Sequence, residues 1–235
     1  MVGFTMAQTY TFTPNYCVVD KVQAVRSISE LADEVGMYSA TPEFVLSHGG
    51  NISRELVHRI PEWYAEEARA AGLNLNIDIR IHRLYVGDFP AYPGWHCDGE
   101  FRETYFSQPD IDRVNVSRHM ICTVSSHEGG VSNTEFLDEP LTVTIEKPSS
   151  DHTLWSQVHA QLAAVQTERG LLTTETKDGD LMLFDSWSLH RAKATKVRGW
   201  RLFFRLSMWH RPNLGDDGKL SKQEQVYKLV EGGGW

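Results

Sequence analysis

Four residues of this chain combine metal-binding and anion-binding chemistry. His96 and Asp98 lie in the run Trp95-His96-Cys97-Asp98-Gly99, His190 follows 92 residues after the aspartate, and Arg201 comes 11 residues later. Two neutral imidazoles and one carboxylate on one face of a metal leave the opposite positions open to exogenous ligands, an arrangement suited to oxidative chemistry at iron. The His-x-Asp spacing alone carries little weight. Ten histidines and 31 acidic residues among 235 give about 1.3 matches to His-x-Asp/Glu by chance, and one occurs. An exposed loop histidine beside a solvated aspartate would look the same. Position favours a site: the motif follows Leu75-Asn76-Ile77-Asp78-Ile79-Arg80-Ile81, where apolar and polar residues alternate with the period of a strand. In extended backbone, residues i and i+2 project to the same side, so one metal is within reach of both.

His190 ends the segment Asp178-Gly179-Asp180-Leu181-Met182-Leu183-Phe184-Asp185-Ser186-Trp187-Ser188-Leu189-His190, in which a Gly-Asp turn launches a short apolar strand and a polar loop delivers the imidazole. The following strand, 199–208, alternates strictly. Leu202, Phe204, Leu206 and Met208 take one face, and Arg201, Phe203, Arg205 and Ser207 the other. Two arginines on a buried face need anions, because an uncompensated buried charge costs roughly 3–5 kcal/mol. An anionic ligand would supply one; a half-exposed sheet face with solvated arginines is the alternative.

In these pieces the chain resembles the Fe(II)/2-oxoglutarate-dependent dioxygenases over about residues 75–210. The resemblance rests on His96-Cys97-Asp98, on His190 after Gly-Asp-Leu-Met-Leu-Phe, and on Arg201 at the family's spacing. It implies a double-stranded β-helix, Fe(II) held by His96, Asp98 and His190, and Arg201 gripping the distal carboxylate of 2-oxoglutarate. It further implies O2 as oxidant, succinate and CO2 as co-products, and attack on a substrate C–H bond. The segment Gly129-Gly130-Val131-Ser132-Asn133-Thr134-Glu135-Phe136 is similar to the Gly-Gly-x-Thr-x-Phe stretch of the taurine dioxygenase-like branch. Thr134 inherits a contact to the same carboxylate, although two inserted residues leave Asn133 or a backbone group as substitutes. Tyr85 resembles a tyrosine that some members direct at 2-oxoglutarate, with a core tyrosine as the alternative. In the same branch an arginine at the Arg205 offset contacts an anionic group of the primary substrate; an ion pair with an acid of 99–112 is the competing expectation for Arg205. Arg102 and Trp95, in the segments flanking the motif, complete the expected substrate contacts. Cys97 should point away from the metal as a small buried thiol.

The elements that must hold these residues are mainly β with flanking helices. Strands are predicted at about 75–86, 117–126, 134–137, 141–147, 171–176, 180–185 and 199–209, a pattern that suggests a jelly-roll-like, cupin-like core. Helical spacing is found over 22–35 and over 53–71, with a break at Pro61, and 151–169 reads as a helix closed by Gly170. One domain spans 1–235: a helical N-terminal part (1–74), the β-helix core (75–210) and a tail (211–235). Phe89 to Trp95 reads as a stiff aromatic wall, and 99–116 as a lid or a solvated linker. His119, His127, His152, His159 and His210 read as surface or satisfied core histidines.

A net charge of −8 argues against a broad nucleic-acid surface. Cys17, Cys97 and Cys122 have neither zinc nor disulfide spacing and point to a reducing cytoplasm. No apolar run suggests a membrane span or an export signal. The leading expectation is a hydroxylase of a small polar molecule, such as an amino acid or a natural-product intermediate. The alternatives are a cupin-like metalloprotein that does not use 2-oxoglutarate and a non-catalytic β-sandwich binding module. Asp98 also sets the chain apart from the family's halogenases, which usually lack that carboxylate.

Overall fold

The alternation in β11 (Gly199–Trp209) organises the architecture: Leu202, Phe204, Leu206 and Met208 are fully buried on one face of the largest sheet. The computed structural model describes residues 6–99, 110–113, 117–147, 153–209 and 219–220. Before β11 come β1 (Met6–Phe12), β2 (Tyr16–Lys21), α1 (Ile28–Ala32), β3 (Met37–Ala40), α2 (Pro42–His48), α3 (Asn51–His58) and α4 (Glu62–Ala70). They are followed by β4 (Asn74–Leu84), β5 (Arg118–Ser125), β6 (Thr134–Leu137), β7 (Leu141–Lys147), α5 (Thr153–Arg169), β8 (Thr173–Glu175), β9 (Asp180–Asp185) and β10 (His190–Ala192). β12 (Lys219–Leu220) is the last described element.

The fold is mainly β, and its sheets are antiparallel. Seven strands order as β12-β3-β4-β11-β5-β9-β2, three as β10-β6-β8, and two as β1-β7. Helices α1–α4 cover the apolar face of the large sheet, where Leu31, Val45, Ile52, Leu56 and Tyr64 pack with Ile77, Ile79 and Phe204. Phe204 is completely buried, and truncating a core aromatic costs about 3–5 kcal/mol. On the other side, Phe136 of β6 packs with Ile121, Met182 and Phe184, joining the three-stranded sheet to the large one. A third cluster unites β1, β7 and α5 around Phe12, Val143 and Val158.

The N-terminal part, expected to be helical, contributes β1, β2 and β3 as well as α1–α4. The predicted helix over 22–35 shortens to α1, because Val22 N–H donates to Gly179 O (2.8 Å) and Arg26 N–H to Ser125 O (2.9 Å). A capping box between Ser27 and Glu30 then starts the helix. The predicted helix over 53–71 divides into α3 and α4 at Pro61, the N-cap of α4. The start of α3 is held by buried Glu34, which accepts from Ile52 N–H (2.6 Å) and Ser53 N–H (3.2 Å). Gly170, at φ +80°, follows the last turn of α5.

The inner face of the large sheet is the polar one, and its register sets which groups meet. Arg201 of β11 lies opposite His82 of β4 and Ser125 of β5; Phe203 lies between Arg80 and Thr123, and Arg205 between Asp78 and Ile121. Next to β4, the register of β3 shifts between Met37 and Ala40, and Ser39 there takes φ +52°, a left-handed conformation uncommon for a residue with a side chain. Ser39 N–H donates to Asp78 Oδ1 (2.9 Å), and Ser39 Oγ to Asn76 Oδ1 (2.9 Å). Among the described residues, no helix is long and apolar enough to cross a membrane.

Candidate metal centre

His96, in the loop after β4, and His190, opening β10, form an isolated antiparallel bridge. His96 N–H donates to His190 O at 3.0 Å and His190 N–H to His96 O at 2.9 Å. This main-chain pair sets the two imidazoles side by side, with ring centroids 4.6 Å apart. Asp98, two residues on, turns its carboxylate to the same place, so that one ligand atom from each of His96, Asp98 and His190 lies within 4.8 Å of the others. Cys97 points the other way, into the cluster that contains Trp95 and Leu189, as alternation requires.

The donor set fits a divalent transition metal in a specific way. His96 Nδ1 lies 2.7 Å from Gly94 O and His190 Nδ1 lies 3.0 Å from Ser188 O. Both carbonyls select the Nδ1–H tautomer and leave Nε2 as the lone-pair donor, the usual arrangement for metal-bound imidazole. Burial, reinforced by His190, lowers the His96 pKa to about 4, so this imidazole is neutral at physiological pH. Burial works against the Asp98 carboxylate, but Arg205 and then His190 outweigh it and hold Asp98 well below the ordinary carboxylate range. His96 and Asp98 therefore both offer lone pairs.

Arg205 fixes Asp98. Its guanidinium donates to Asp98 Oδ2 (3.0 Å) and to Asp78 Oδ2 (2.6 Å), and Asp78 is itself pinned by Ser39 N–H. Burial opposes this charge, but the two aspartates raise the Arg205 pKa. Among the described residues the ion-pair partners of Arg205 are Asp98 and Asp78, whereas Glu100 and Glu103 of the anticipated segment lie outside them, and the expected substrate anion would meet a guanidinium already bound to two carboxylates. His119, expected to be a surface or satisfied core histidine, is fully buried beside Asp98. Its Nδ1 is 2.9 Å from Ser207 Oγ. Its Nε2 faces the turn at Gly99 (φ +79°), where a Cβ would come within 2.5 Å of it. Burial is the main cause that lowers the His119 pKa to about 4.

From His96, Asp98 and His190 a cleft of about 580 Å³, open to solvent, runs between the large sheet and the three-stranded sheet. Arg201 and Thr134 line it together, one from each sheet, with Phe203, Phe184 and Ile121 as apolar walls. Arg201 is almost fully buried, donates from Nε to Ser132 O (2.9 Å), and rests against Phe203 with Cζ 5.0 Å from the ring centroid. Burial lowers its pKa to about 10, offset in part by Asp178, so it remains a cation at neutral pH. Gly129 and Gly130 (φ +85° and +83°) make the turn before Thr134 that only glycine takes readily. The alternative contact, Asn133, directs its buried Oδ1 toward Gly130.

Two expected contacts lie elsewhere. Tyr85 is 46% exposed beyond the end of β4, with Arg198 and Arg83 over its ring at 5.0 and 5.8 Å. Trp95 immediately precedes His96, so its side chain projects to the opposite side; it is buried in the cluster with Leu189 and carries Arg191 over its ring at 4.5 Å. Neither lines the cleft. Arg102, His152, His210 and most of the expected lid over 99–116 lie outside the described residues. Sequence reasoning missed Asp78, Arg80 and His82, whose alternation in β4 carried the signal.

No family model matches the chain, and no curated protein does. Among solved structures, HygX from Streptomyces hygroscopicus with nickel, 2-oxoglutarate and hygromycin B bound is 10% identical, with 91% of this chain and 93% of that one covered at a TM-score of 0.40. A non-heme monooxygenase, the ThoJ-Ni complex, is 12% identical over 83% of this chain and 73% of its own, with a TM-score of 0.38. An N-substituted L-amino acid dioxygenase from Burkholderia ambifaria AMMD, in complex with alpha-KG, is 17% identical with a TM-score of 0.31; 60% of this chain is covered, and the match spans about half, 49%, of that chain. Scores this low establish no shared function, and the residues of the centre carry the reading that follows.

Proposed function

We propose that this protein is a non-haem Fe(II)- and 2-oxoglutarate-dependent oxygenase that hydroxylates a C–H bond of a small polar molecule within a double-stranded β-helix domain. The observation that carries the proposal is the convergence of His96, Asp98 and His190 in a cleft that also holds Arg201 and Thr134. Two imidazoles and a carboxylate on one side match the facial arrangement that leaves positions open at iron. Bound there with 2-oxoglutarate, iron supplies the oxidising chemistry, with succinate and CO2 as co-products.

The chain's own residues position the reactants. His96 and His190 present Nε2 because their Nδ1–H groups are tied to carbonyls. Asp98 is oriented and kept anionic by Arg205. Arg201 takes the distal carboxylate of 2-oxoglutarate by a charge-assisted contact, and the Thr134 hydroxyl adds a second contact from the opposite sheet. Phe203, Phe184 and Ile121 reduce water around the reacting groups. Three free cysteines, two of them buried, suit a reducing compartment such as the cytoplasm.

The test is anaerobic reconstitution with Fe(II) and 2-oxoglutarate, followed by exposure to O2. The expected result is one Fe(II) bound per chain and slow succinate release that requires 2-oxoglutarate. Metal binding without any consumption of 2-oxoglutarate would favour a cupin-like protein that does not use it, and the absence of metal binding would favour a binding module.

A further inference from the structure

Three arginines line the cleft, and they differ in what holds them. Arg205 lies between Asp78 and Asp98. Arg201 donates to Ser132 O and Thr123 Oγ1 and is offset by Asp178. Among the described residues, Arg80 makes neither a hydrogen bond nor an ion pair, and none of them gives its half-buried guanidinium an anion.

Its position is defined by register. On β4, Arg80 shares the inner face with Asp78 and His82 and lies opposite Phe203, midway between the Arg201 and Arg205 rows. It is close enough to Arg201 and His82 to disfavour added positive charge on both. This wall therefore holds two neighbouring cations with a buried neutral imidazole between the strands. Pro90 and Ala91 also line the cleft, with little bulk and no charge.

On the reading proposed above, the iron and Arg201 take the two carboxylates of 2-oxoglutarate. Arg80 then remains as a fork-shaped donor in the same cleft, with no anion among the described residues. We propose that Arg80 is a specificity-determining residue that binds a carboxylate of the primary substrate, which makes the substrate a small organic anion whose aliphatic part rests against Phe203. A planar guanidinium pairs with a carboxylate through two parallel hydrogen bonds, so it selects geometry as well as charge. Arg205 is less suited to this purpose, because its two terminal nitrogens already donate to Asp98 and Asp78 and its Nε is buried.

The proposal is tested without turnover. Protein loaded with Mn(II) and saturating 2-oxoglutarate is titrated with trifluoroacetate, and paramagnetic broadening of its fluorine signal is measured beside that of trifluoroethanol, a neutral analogue. Wild-type protein should show saturable broadening of trifluoroacetate, competed by acetate, and none of trifluoroethanol. Arg80→Gln should weaken trifluoroacetate binding at least about tenfold, with Mn(II) and 2-oxoglutarate affinities within about twofold of wild type. Arg80→Lys, which keeps the charge without the fork, should retain part of the affinity. No saturable binding in the wild type, equal binding of trifluoroethanol, or unchanged binding in Arg80→Gln would overturn the proposal. A loss of 2-oxoglutarate affinity in Arg80→Gln would also overturn it, by assigning Arg80 to the co-substrate. Failure of the wild type to take up Mn(II) or 2-oxoglutarate, seen before the probe is added, would instead overturn the oxygenase reading and the Arg80 role with it.

Discussion

His96 and His190 are joined through their main chains, each N–H donating to the other's carbonyl at 3.0 and 2.9 Å. Side-chain replacement leaves these backbone bonds available, so the geometry that presents the imidazoles is separable from the imidazoles themselves. His190→Ala should therefore fold, with a circular dichroism spectrum like that of wild type, yet bind Mn(II) at least about 100-fold more weakly by electron paramagnetic titration, since one of three protein ligands is gone. Asp98→Ala should do the same. Wild-type Mn(II) affinity in either variant would remove the site.

Arg205 is expected to act on the metal through Asp98. Arg205→Gln leaves two largely buried carboxylates without their shared counter-charge, which should cost up to about 3–5 kcal/mol of folding stability in urea titrations. Mn(II) affinity should also fall about 10–100-fold, the usual effect of removing a partner that orients a ligand. If Arg205→Gln kept both and only uncoupled succinate release from product formation, Arg205 would be a substrate contact instead.

Arg201→Lys keeps the charge but loses the fork that faces Thr134 across the cleft. The KM for 2-oxoglutarate should rise about tenfold or more while Mn(II) affinity stays near wild type. Thr134→Val should give a smaller defect of the same kind. An unchanged dependence of succinate release on 2-oxoglutarate would exclude both roles.

Acid should destabilise the metal-free protein through its buried histidines. Burial, with help from Arg201 and Arg80, lowers the His82 pKa to about 3. Below about pH 6.5 the unfolded chain takes up a proton that the folded state refuses, so stability falls as the pH drops toward 3 and is unaffected by this group above 6.5. Between pH 6.5 and 5, His82 alone should account for about 2 kcal/mol. Urea titrations of wild type and His82→Gln at pH 7 and pH 5 should show a shallower acid loss in the variant; parallel losses would mean that His82 does not contribute.

What the sequence reveals is set by how local the signal is. β11 is readable because its period-two alternation runs without interruption through 199–208, and the same face assignment places Arg201 and Arg205 on the polar side. β4 shows the identical alternation, yet Asp78, Arg80 and His82 look like a solvated face until β11 and the three-stranded sheet are seen to enclose them. β10 is too short, at three residues, to produce a pattern. Val22 and Val25 have helical spacing by coincidence and are held by Gly179 and Ser125, partners distant in sequence. Trp95 and Tyr85 fail as cleft residues for opposite reasons: one faces away from its neighbour His96, and the other lies past the end of its strand.

The left-handed backbone at Ser39 lies three hydrogen-bonded contacts from Asp98, a proposed metal ligand: Ser39 to Asp78, Asp78 to Arg205, Arg205 to Asp98. A change in the register of β3, a strand with no residue among those lining the cleft, would thus be transmitted to the aim of Asp98. Variation in this outlying strand need not unfold the protein to silence it. Ser39→Pro, which lacks the amide donor and cannot adopt a positive φ, should lower the melting temperature and weaken the grip on the metal together.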